Sequence, residues 1–461
     1  MSNLDLAALS SIFDASRVLT DAGSLKEYGR DWTKYLEPHP SAVVFPKTTE
    51  EVVAMVAWAR QNKVGLVPSG GRTGLSGGAV ALNGEVVVSF EKMNRILDYD
   101  PYDQAVTVES GVITETIQEF AAEKGLYYPV DFASRGSSQI GGNVATNAGG
   151  IKVMRYGLTR QWVAGLEIVT GSGEVLQLNN GLVKNATGLD LRHLLIGSEG
   201  VLGLITKVTL NLTRPPTAPE LFLFGLSDLA AVMKIYHAFK SELPVLAFEM
   251  FTDIALRYVL KHHTDLKTPL SERTPYYVLV EIEGTTDAVD RAMDLFESGV
   301  EQGWIADGIQ AQSPQQAREL WRLREDISEA TAPYMPYKND ISVRISRVPE
   351  FLREMDGILK SHYPDFEAVW FGHIGDGNLH INILKPTEMP VESFLNECKR
   401  VDTILFQMIE KFKGSISAEH GVGLTKKPYL TRTRSEAEIR LMREIKRAFD
   451  PDGIINPGKV I

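Results

Sequence analysis

The sequence predicts an α+β protein of more than one domain, and three observations carry that reading. At 461 residues the chain is long enough for about two to four domains of roughly 100–200 residues. Short β-branched runs alternate with helix-like stretches in both halves. Composition breaks sharply at Thr213-Arg-Pro-Pro-Thr-Ala-Pro219, where the prolines at 215, 216 and 219 forbid a continuing helix or a central strand. A domain boundary is expected there.

Taken in order, Ala42–Phe45 reads as a strand. Thr48 then offers a capping hydroxyl with the Glu51 carboxylate three residues on, a capping box that predicts a helix to about Asn62. Val64–Val67 is a second apolar run, and Val86–Phe90 and Ala105–Val108 are β-branched runs bounded by turn residues. Beyond the prolines, Tyr276–Ile282 reads as a strand and Glu350–Lys360 carries helical apolar spacing. Polar and apolar residues alternate through Asn378–Ile383, so in a strand Asn378, His380 and Asn382 share one face.

Composition narrows the function. Hydrophobic residues at 44% and charged residues at 23% allow large cores and exclude a disordered chain. The balance of 48 basic against 59 acidic residues gives −11, which opposes attraction to phosphate backbones, so no nucleic-acid partner is expected. A single cysteine, Cys398, excludes an internal disulfide and a thiolate metal cage, which suits the cytoplasm. The Met1–Leu9 stretch has an early acid and no basic region before a long apolar core, so it is not read as an export signal. No apolar run reaches the roughly 20 residues that span a bilayer. Peripheral membrane contact stays open.

Glycine clusters twice. Between Ser69 and Gly84 the run Ser-Gly-Gly-Arg-Thr-Gly-Leu-Ser-Gly-Gly-Ala-Val-Ala-Leu-Asn-Gly holds six glycines. Such a run lets consecutive amides point into one concavity and lets a phosphate approach the backbone, with Ser69, Arg72 and Thr73 adding donors. An isolated glycine pair would be an ordinary turn. A second cluster, Ser137–Gly150, repeats the glycines, small residues and amides, and two such loops suggest one large cofactor. The dinucleotide pattern G-x-G-x-x-G is absent from the chain, and the phosphate-loop-like Gly453–Lys459 is followed by Val460 where a hydroxyl is required. A nicotinamide Rossmann domain and an NTPase are therefore set aside.

Three of nine histidines fall late, in Gly372-His-Ile-Gly-Asp-Gly-Asn-Leu-His-Ile-Asn382 and Ser417-Ala-Glu-His-Gly-Val-Gly423. His373, His380 and the Glu419 carboxylate form a two-histidine, one-carboxylate set with room for a substrate, zinc being the leading metal ahead of manganese or iron. A lone buried histidine usually just bonds to backbone; the acid beside His420 argues otherwise. In an extended segment Glu419 and His420 would face opposite ways unless a turn brings both inward, and spacing alone does not rank them. Arg324 and Ser328, four apart in Trp321–Ser328, would share a helix face able to grip a carboxylate, with Lys338 as a third contact, although such charges are usually a solvated face.

These residues resemble the flavoproteins of the vanillyl-alcohol oxidase and p-cresol methylhydroxylase (PCMH) superfamily, in its FAD-linked D-2-hydroxyacid dehydrogenase branch, over nearly the whole chain. Pro68-Ser-Gly-Gly-Arg-Thr-Gly74 is similar to that family's pyrophosphate loop. Pro129-Val-Asp131, Ile140-Gly-Gly-Asn-Val-Ala-Thr-Asn147, Gly149-Gly150, Gly197-Ser-Glu-Gly-Val-Leu-Gly203 with Ile205 after it, and Asn456-Pro-Gly-Lys459 resemble its other FAD-lining segments. From these the resemblance implies FAD contacts at Pro68, Ser69, Gly70, Gly71, Arg72, Thr73, Gly74, Pro129, Asp131, Ile140, Gly141, Gly142, Asn143, Thr146, Asn147, Gly149, Gly150, Glu199, Gly200, Ile205 and Asn456. Some members attach FAD through a histidine of the first loop; Arg72 stands there, so noncovalent FAD is expected.

The resemblance further implies a PCMH-type FAD-binding domain over 1–215, an α+β cap over 216–418 that binds substrate and metal, and a segment 419–461 that returns to complete the active site and FAD pocket. It makes His373, His380 and Glu419 the metal ligands and His420 the general base, with Arg324, Ser328, Lys338, Asn382 and His420 on the substrate. The Trp-x-Leu-Arg-Glu start, the Lys-x-Asp segment at Lys338–Asp340 and Ser-Ala-Glu-His-Gly-Val-Gly look most like the members acting on D-2-hydroxyglutarate, with D-malate as a second substrate; serine at 328 replaces the usual threonine. D-lactate or glycolate oxidation is the near alternative, and a non-redox ether-lipid synthase or a flavin- or metal-binding module the distant ones. Electron-transfer flavoprotein or a quinone is the expected acceptor, and a homodimer is allowed.

Overall fold

The structure, a computed structural model, describes residues 6–33 and 35–461, so the Met1–Asp5 part of the N-terminal stretch considered above lies outside the described residues. The chain divides into two compact units. One comprises the chain up to Gly149, Leu158–Pro215 and Glu419–Ile461; the other comprises Gly150–Gly157 and Pro216–Ala418.

In the first unit the strand Ala42–Val44 leads into the helix Thr49–Asn62. Thr48 Oγ1 accepts from the Glu51 amide at 3.3 Å, but the Glu51 carboxylate turns to Arg17 Nη1 at 2.6 Å, so only half of the expected capping box forms. The helix stops at Lys63, whose φ of 54° reverses the chain, and the next strand is Leu66–Ser69. That strand and Ala42–Val44 both run parallel to Val86–Ser89 between them. Val52, Met55, Val56 and Ala59 of the helix bury against Val44, Leu66 and Val88. This crossover leaves the first glycine cluster as the loop emerging from the carboxyl end of Leu66–Ser69, where ligands of parallel sheets commonly sit.

A separate five-stranded antiparallel sheet runs in the order Ile96–Asp100, Ala105–Glu109, Leu204–Asn211, Val163–Val169, Val175–Leu178. Its inner face, with Val106, Val108, Leu166 and Val208, packs on Ile140 and Val144 of the short helix Ile140–Thr146, which fixes the second glycine cluster. The C-terminal residues then join the first sheet. Leu66 donates to the Ile454 carbonyl and accepts from the Asn456 amide, both at 2.7 Å. Asp450 shapes that return by accepting from the amides of Ile454 and Ile455 and from Lys446.

The second unit is one antiparallel sheet of seven strands, ordered Ile305–Gln310, Pro219–Leu226, Tyr276–Glu283, Val245–Thr252, Ala368–Gly372, Asn378–Ile383, Tyr337–Ser342. Phe251, Leu279, Phe371 and Leu384 bury against the helices Asp253–His262 and Pro314–Glu325. The segment Gly150–Gly157 docks on the same unit: Lys152 pairs with Glu281 at 3.2 Å. Met154 packs its side chain directly against Gly375, where an added Cβ would stand 1.8 Å from its Sδ. Cys398 is fully buried in the helix Val391–Lys411. Among the described residues no helix is long and apolar enough to cross a membrane.

Candidate active site

The two glycine clusters meet in the first unit. A Cβ at Gly71 would stand 2.0 Å from the Ser137 carbonyl oxygen and one at Gly70 3.4 Å from Gln139 Cβ, so the Ser69–Gly74 loop lies backbone to backbone on Ser137–Gln139. Arg72 takes a φ of 58° and lays its guanidinium 4.3 Å from the Tyr28 ring centroid. Beside this contact Gly142 faces open space, with nothing within 4 Å of an added Cβ. Ser69 Oγ, Gln139 Oε1 and Asn456 Oδ1 are buried without a hydrogen-bond partner. Buried polar atoms are normally satisfied, so orphans around a glycine-lined surface suit a polar ligand such as FAD.

Several expected cofactor residues serve the scaffold. Asn143 donates to Thr114 Oγ1 at 2.5 Å, Thr146 to the Gly142 carbonyl at 3.0 Å, and Asn147 ends the helix with a φ of 52° while accepting from the Arg160 amide. Asp131 pairs with Arg135 at 2.8 Å. Pro129, Ile140, Gly141 and Ile205 are buried, Thr73 and Gly149 border the loops, and Gly150 begins the segment that docks on the other unit. Gly200 must be glycine: its φ is 72° and a Cβ would meet Pro68 Cγ at 2.7 Å.

The Glu199 carboxylate shapes the chain around it. Its two carboxylate oxygens accept from the amides of Val422 and Gly423 at 2.7 and 2.8 Å, and burial pushes its pKa up. Asn456 Nδ2 bonds the Glu199 carbonyl and the Gly78 carbonyl, tying glycine loop, Glu199 and C-terminus together. Glu199 thereby clamps the turn that carries Glu419 and His420. Gly421 has a φ of 86°, and a Cβ there would strike the Glu199 carboxylate. The segment is thus not extended. Glu419 Oε1 lies 3.6 Å from His420 Nε2, so the turn brings both side chains to one side.

In the second unit one face of the sheet carries a buried polar set. Asn378–Ile383 forms the expected strand and pairs with Tyr337–Ser342 in a register that opposes Lys338 to Asn382, Asp340 to His380 and Ser342 to Asn378. Directly opposed residues share a face. His380 and Asn382 are buried, and Lys338 is half-buried. The His373 and His380 rings stand edge to face with centroids 5.6 Å apart. Asp340 Oδ1 accepts from Asn378 Nδ2 at 2.8 Å, and its Oδ2 accepts from the Ala418 amide at 3.1 Å. That bond anchors the residue immediately before Glu419.

The helix carrying Arg324 is shorter than the expected stretch to Ser328. It ends at Glu325, and Ser328 belongs to the next short helix, Ile327–Thr331. A single residue, Asp326 with φ −77° and ψ 0°, separates the two helices, and its carboxylate accepts from Arg322 Nε at 3.0 Å. Nor is Arg324 solvated. It is buried, 2.8 Å from the Glu249 carboxylate and 4.9 Å over the Phe371 ring, and its Nε and Nη2 lack aligned hydrogen-bond acceptors. The 2.8 Å contact is an ion pair off the hydrogen-bond line. Asn382 Nδ2 is likewise a buried donor without an acceptor.

Sequence reasoning missed Glu249, Asp340 and Asp376. Glu249 had a signal, a lone carboxylate in the apolar run Val245-Leu-Ala-Phe-Glu-Met-Phe251. Asp376, in the turn between the two histidine strands, is pushed up to about 6 by burial.

Similarity to known proteins agrees with this arrangement. Residues 40–179 match the family described as "FAD binding domain", and residues 215–460 match "FAD linked oxidases, C-terminal domain". The chain is 55% identical to a D-2-hydroxyglutarate dehydrogenase of Stutzerimonas stutzeri, covering 98% of this chain and 97% of that one. It is 52% identical to another of that name from Xanthomonas citri pv. viticola, covering 100% and 97%. The solved structure of p-cresol methylhydroxylase with substrate bound shares the fold at a TM-score of 0.74 and 18% identity, covering 98% of this chain and 95% of that one. With two glycine loops meeting over orphaned polar atoms and both halves of the chain matched, the chain belongs to the FAD-linked oxidases.

Proposed function

We propose that the chain is an FAD-dependent D-2-hydroxyglutarate dehydrogenase, as its relatives at 52–55% identity are named. The observation that supports the substrate class is in the second unit: buried donors lack acceptors at Arg324, beside Glu249 and over Phe371, and at Asn382, on the strand that carries His380. Donors left unmet in a dry site favour an anionic, oxygen-rich ligand. In this reading Arg324, Ser328 and Lys338 hold the distal carboxylate and Asn382 the hydroxyl-bearing end. His373, His380 and Glu419 hold a divalent metal, zinc by the nature of the donors. When bound, the metal supplies Lewis acidity toward the substrate hydroxyl, and FAD supplies a hydride acceptor. His420 takes the hydroxyl proton at a ring nitrogen. The Glu199 clamp holds it in place.

FAD is noncovalent in this reading, since Arg72 occupies the loop position and is engaged with Tyr28. D-malate is a second substrate, electron-transfer flavoprotein or a quinone the acceptor, and the cytoplasm the location. The test is a dye-linked assay of the purified holoprotein against D-2-hydroxyglutarate, D-malate, D-lactate and glycolate, with acid precipitation to release flavin. Fastest turnover on D-2-hydroxyglutarate and yellow supernatant are expected. Preference for D-lactate, or flavin retained in the pellet, would overturn the respective claim.

A further inference from the structure

Glu249 is buried at 1% exposure in the strand Val245–Thr252, and every other residue near it in that strand is apolar. A carboxylate in such a place is costly unless both oxygens are matched by charge or hydrogen bonds. Here they are. Oε1 lies 2.7 Å from His373 Nδ1 and Oε2 lies 2.8 Å from Arg324 Nη2. The same Arg324 sits over Phe371, and Phe371 stacks on His380 with centroids 4.9 Å apart.

From this we propose that Glu249 is a positioning residue that sets His373 and Arg324 together, resting on the functional reading above. A carboxylate at Nδ1 takes that nitrogen's proton as a hydrogen bond, which fixes the tautomer and presents Nε2 as the ligating nitrogen. The second oxygen turns the Arg324 guanidinium so that its remaining donors face the substrate. One carboxylate therefore couples metal geometry to recognition of the distal carboxylate. A counter-ion serving only to neutralise Arg324 would leave metal binding untouched, which separates the two roles experimentally.

The experiment compares wild-type holoenzyme with Glu249→Ala and the isosteric Glu249→Gln, titrating zinc against a chelator and measuring KM and kcat for D-2-hydroxyglutarate. Loss of a partner of this kind typically costs about 10- to 100-fold in metal affinity. Glu249→Ala is expected near the upper end and Glu249→Gln near the lower, with KM rising in both while flavin content stays at wild type. If Glu249→Ala does not fold, Glu249→Gln decides. Wild-type zinc affinity in Glu249→Gln overturns the inference. His373→Ala keeps this separate from the functional reading: if it retains zinc, the metal assignment itself fails, and if it loses zinc while Glu249→Gln keeps it, only the role of Glu249 fails.

Discussion

The two units present their polar groups by opposite means. The flavin-side unit works with backbone: glycine approach at Gly70 and Gly71, positive φ at Arg72 and Glu199, and open space at Gly142. The second unit presents side chains: Lys338 opposes Asn382 and Asp340 opposes His380 in register, while Glu249, on the strand Val245–Thr252, reaches His373 just past the strand Ala368–Gly372. Backbone sites tolerate almost no added atom but many neighbouring side chains. Side-chain sites show the reverse, and each contrast below is a way to break or sharpen that distinction.

The largest effect is expected at the metal set. His380→Ala should remove bound metal and lower kcat by roughly 1,000-fold, the several kcal/mol that a Lewis acid contributes, while the flavin spectrum stays intact because the cofactor loops belong to the other unit. Metal analysis beside an absorption spectrum measures both. Loss of flavin together with metal would mean that the units do not divide the labour in this way. His420→Ala comes next, slowing flavin reduction in stopped flow by about 100-fold or more. Near-normal reduction would move the base elsewhere.

The same contrast explains what was legible from the sequence. Glycine clusters are contiguous, so both cofactor loops and the proline break could be read directly, as could the alternation that made Asn378–Ile383 a strand. The polar set of the second unit is assembled from residues as far apart as Glu249 and His373, 124 positions, and only folding brings Asp340 opposite His380 or Glu249 to His373. Spacing along a presumed helix put Arg324 and Ser328 on one helix, whereas Asp326 divides that stretch into two, a local turn that periodicity does not register. The motif around Glu199 could be read directly, but the partners of its carboxylate, two amides more than 200 residues away in sequence, emerge only on folding.

Two glycines sharpen the backbone half. Gly71→Ala places a methyl 2.0 Å from the Ser137 carbonyl and should prevent the loops from closing, giving protein without flavin and a lowered melting temperature. Gly142→Ala meets nothing in the chain, so the apoprotein's melting temperature should hold. If FAD fills that space, its affinity should fall by roughly 10-fold or more, the usual cost of overpacking. Unchanged FAD affinity would move the cofactor away from Gly142.

Buried charge makes the flavin-side unit sensitive to pH. Burial lowers the Lys459 ammonium to about 8 from its ordinary 10.5, with Glu85 3.9 Å away. The folded-state value is the depressed one, so stability is fully present above the unfolded value and is lost as pH falls through about 8. Lys459→Met should therefore raise stability at pH 7 by up to about 3 kcal/mol and flatten the rise in melting temperature between pH 8 and 10. An unaltered pH profile would show that the ammonium is matched in the fold.

The smallest effect, and the finest test of the side-chain half, is at Arg324. Replacement by alanine would strand the Glu249 charge in a dry interior, at a cost of about 3–5 kcal/mol to folding that would obscure the kinetics. Arg324→Lys keeps the charge beside Glu249 and removes only the planar fork. One charge-assisted hydrogen bond is worth roughly 1.5–3 kcal/mol, and lysine recovers part of it, so kcat/KM on D-2-hydroxyglutarate should fall by about 10-fold. D-Lactate has no distal carboxylate to lose, and its kcat/KM should change far less. Measuring both substrates on one preparation removes differences in metal and flavin content. An equal fall on both would mean that Arg324 grips the carboxylate common to all 2-hydroxy acids, and selection for the longer diacid would then rest on Lys338, half-buried and in register with Asn382 on the same sheet face.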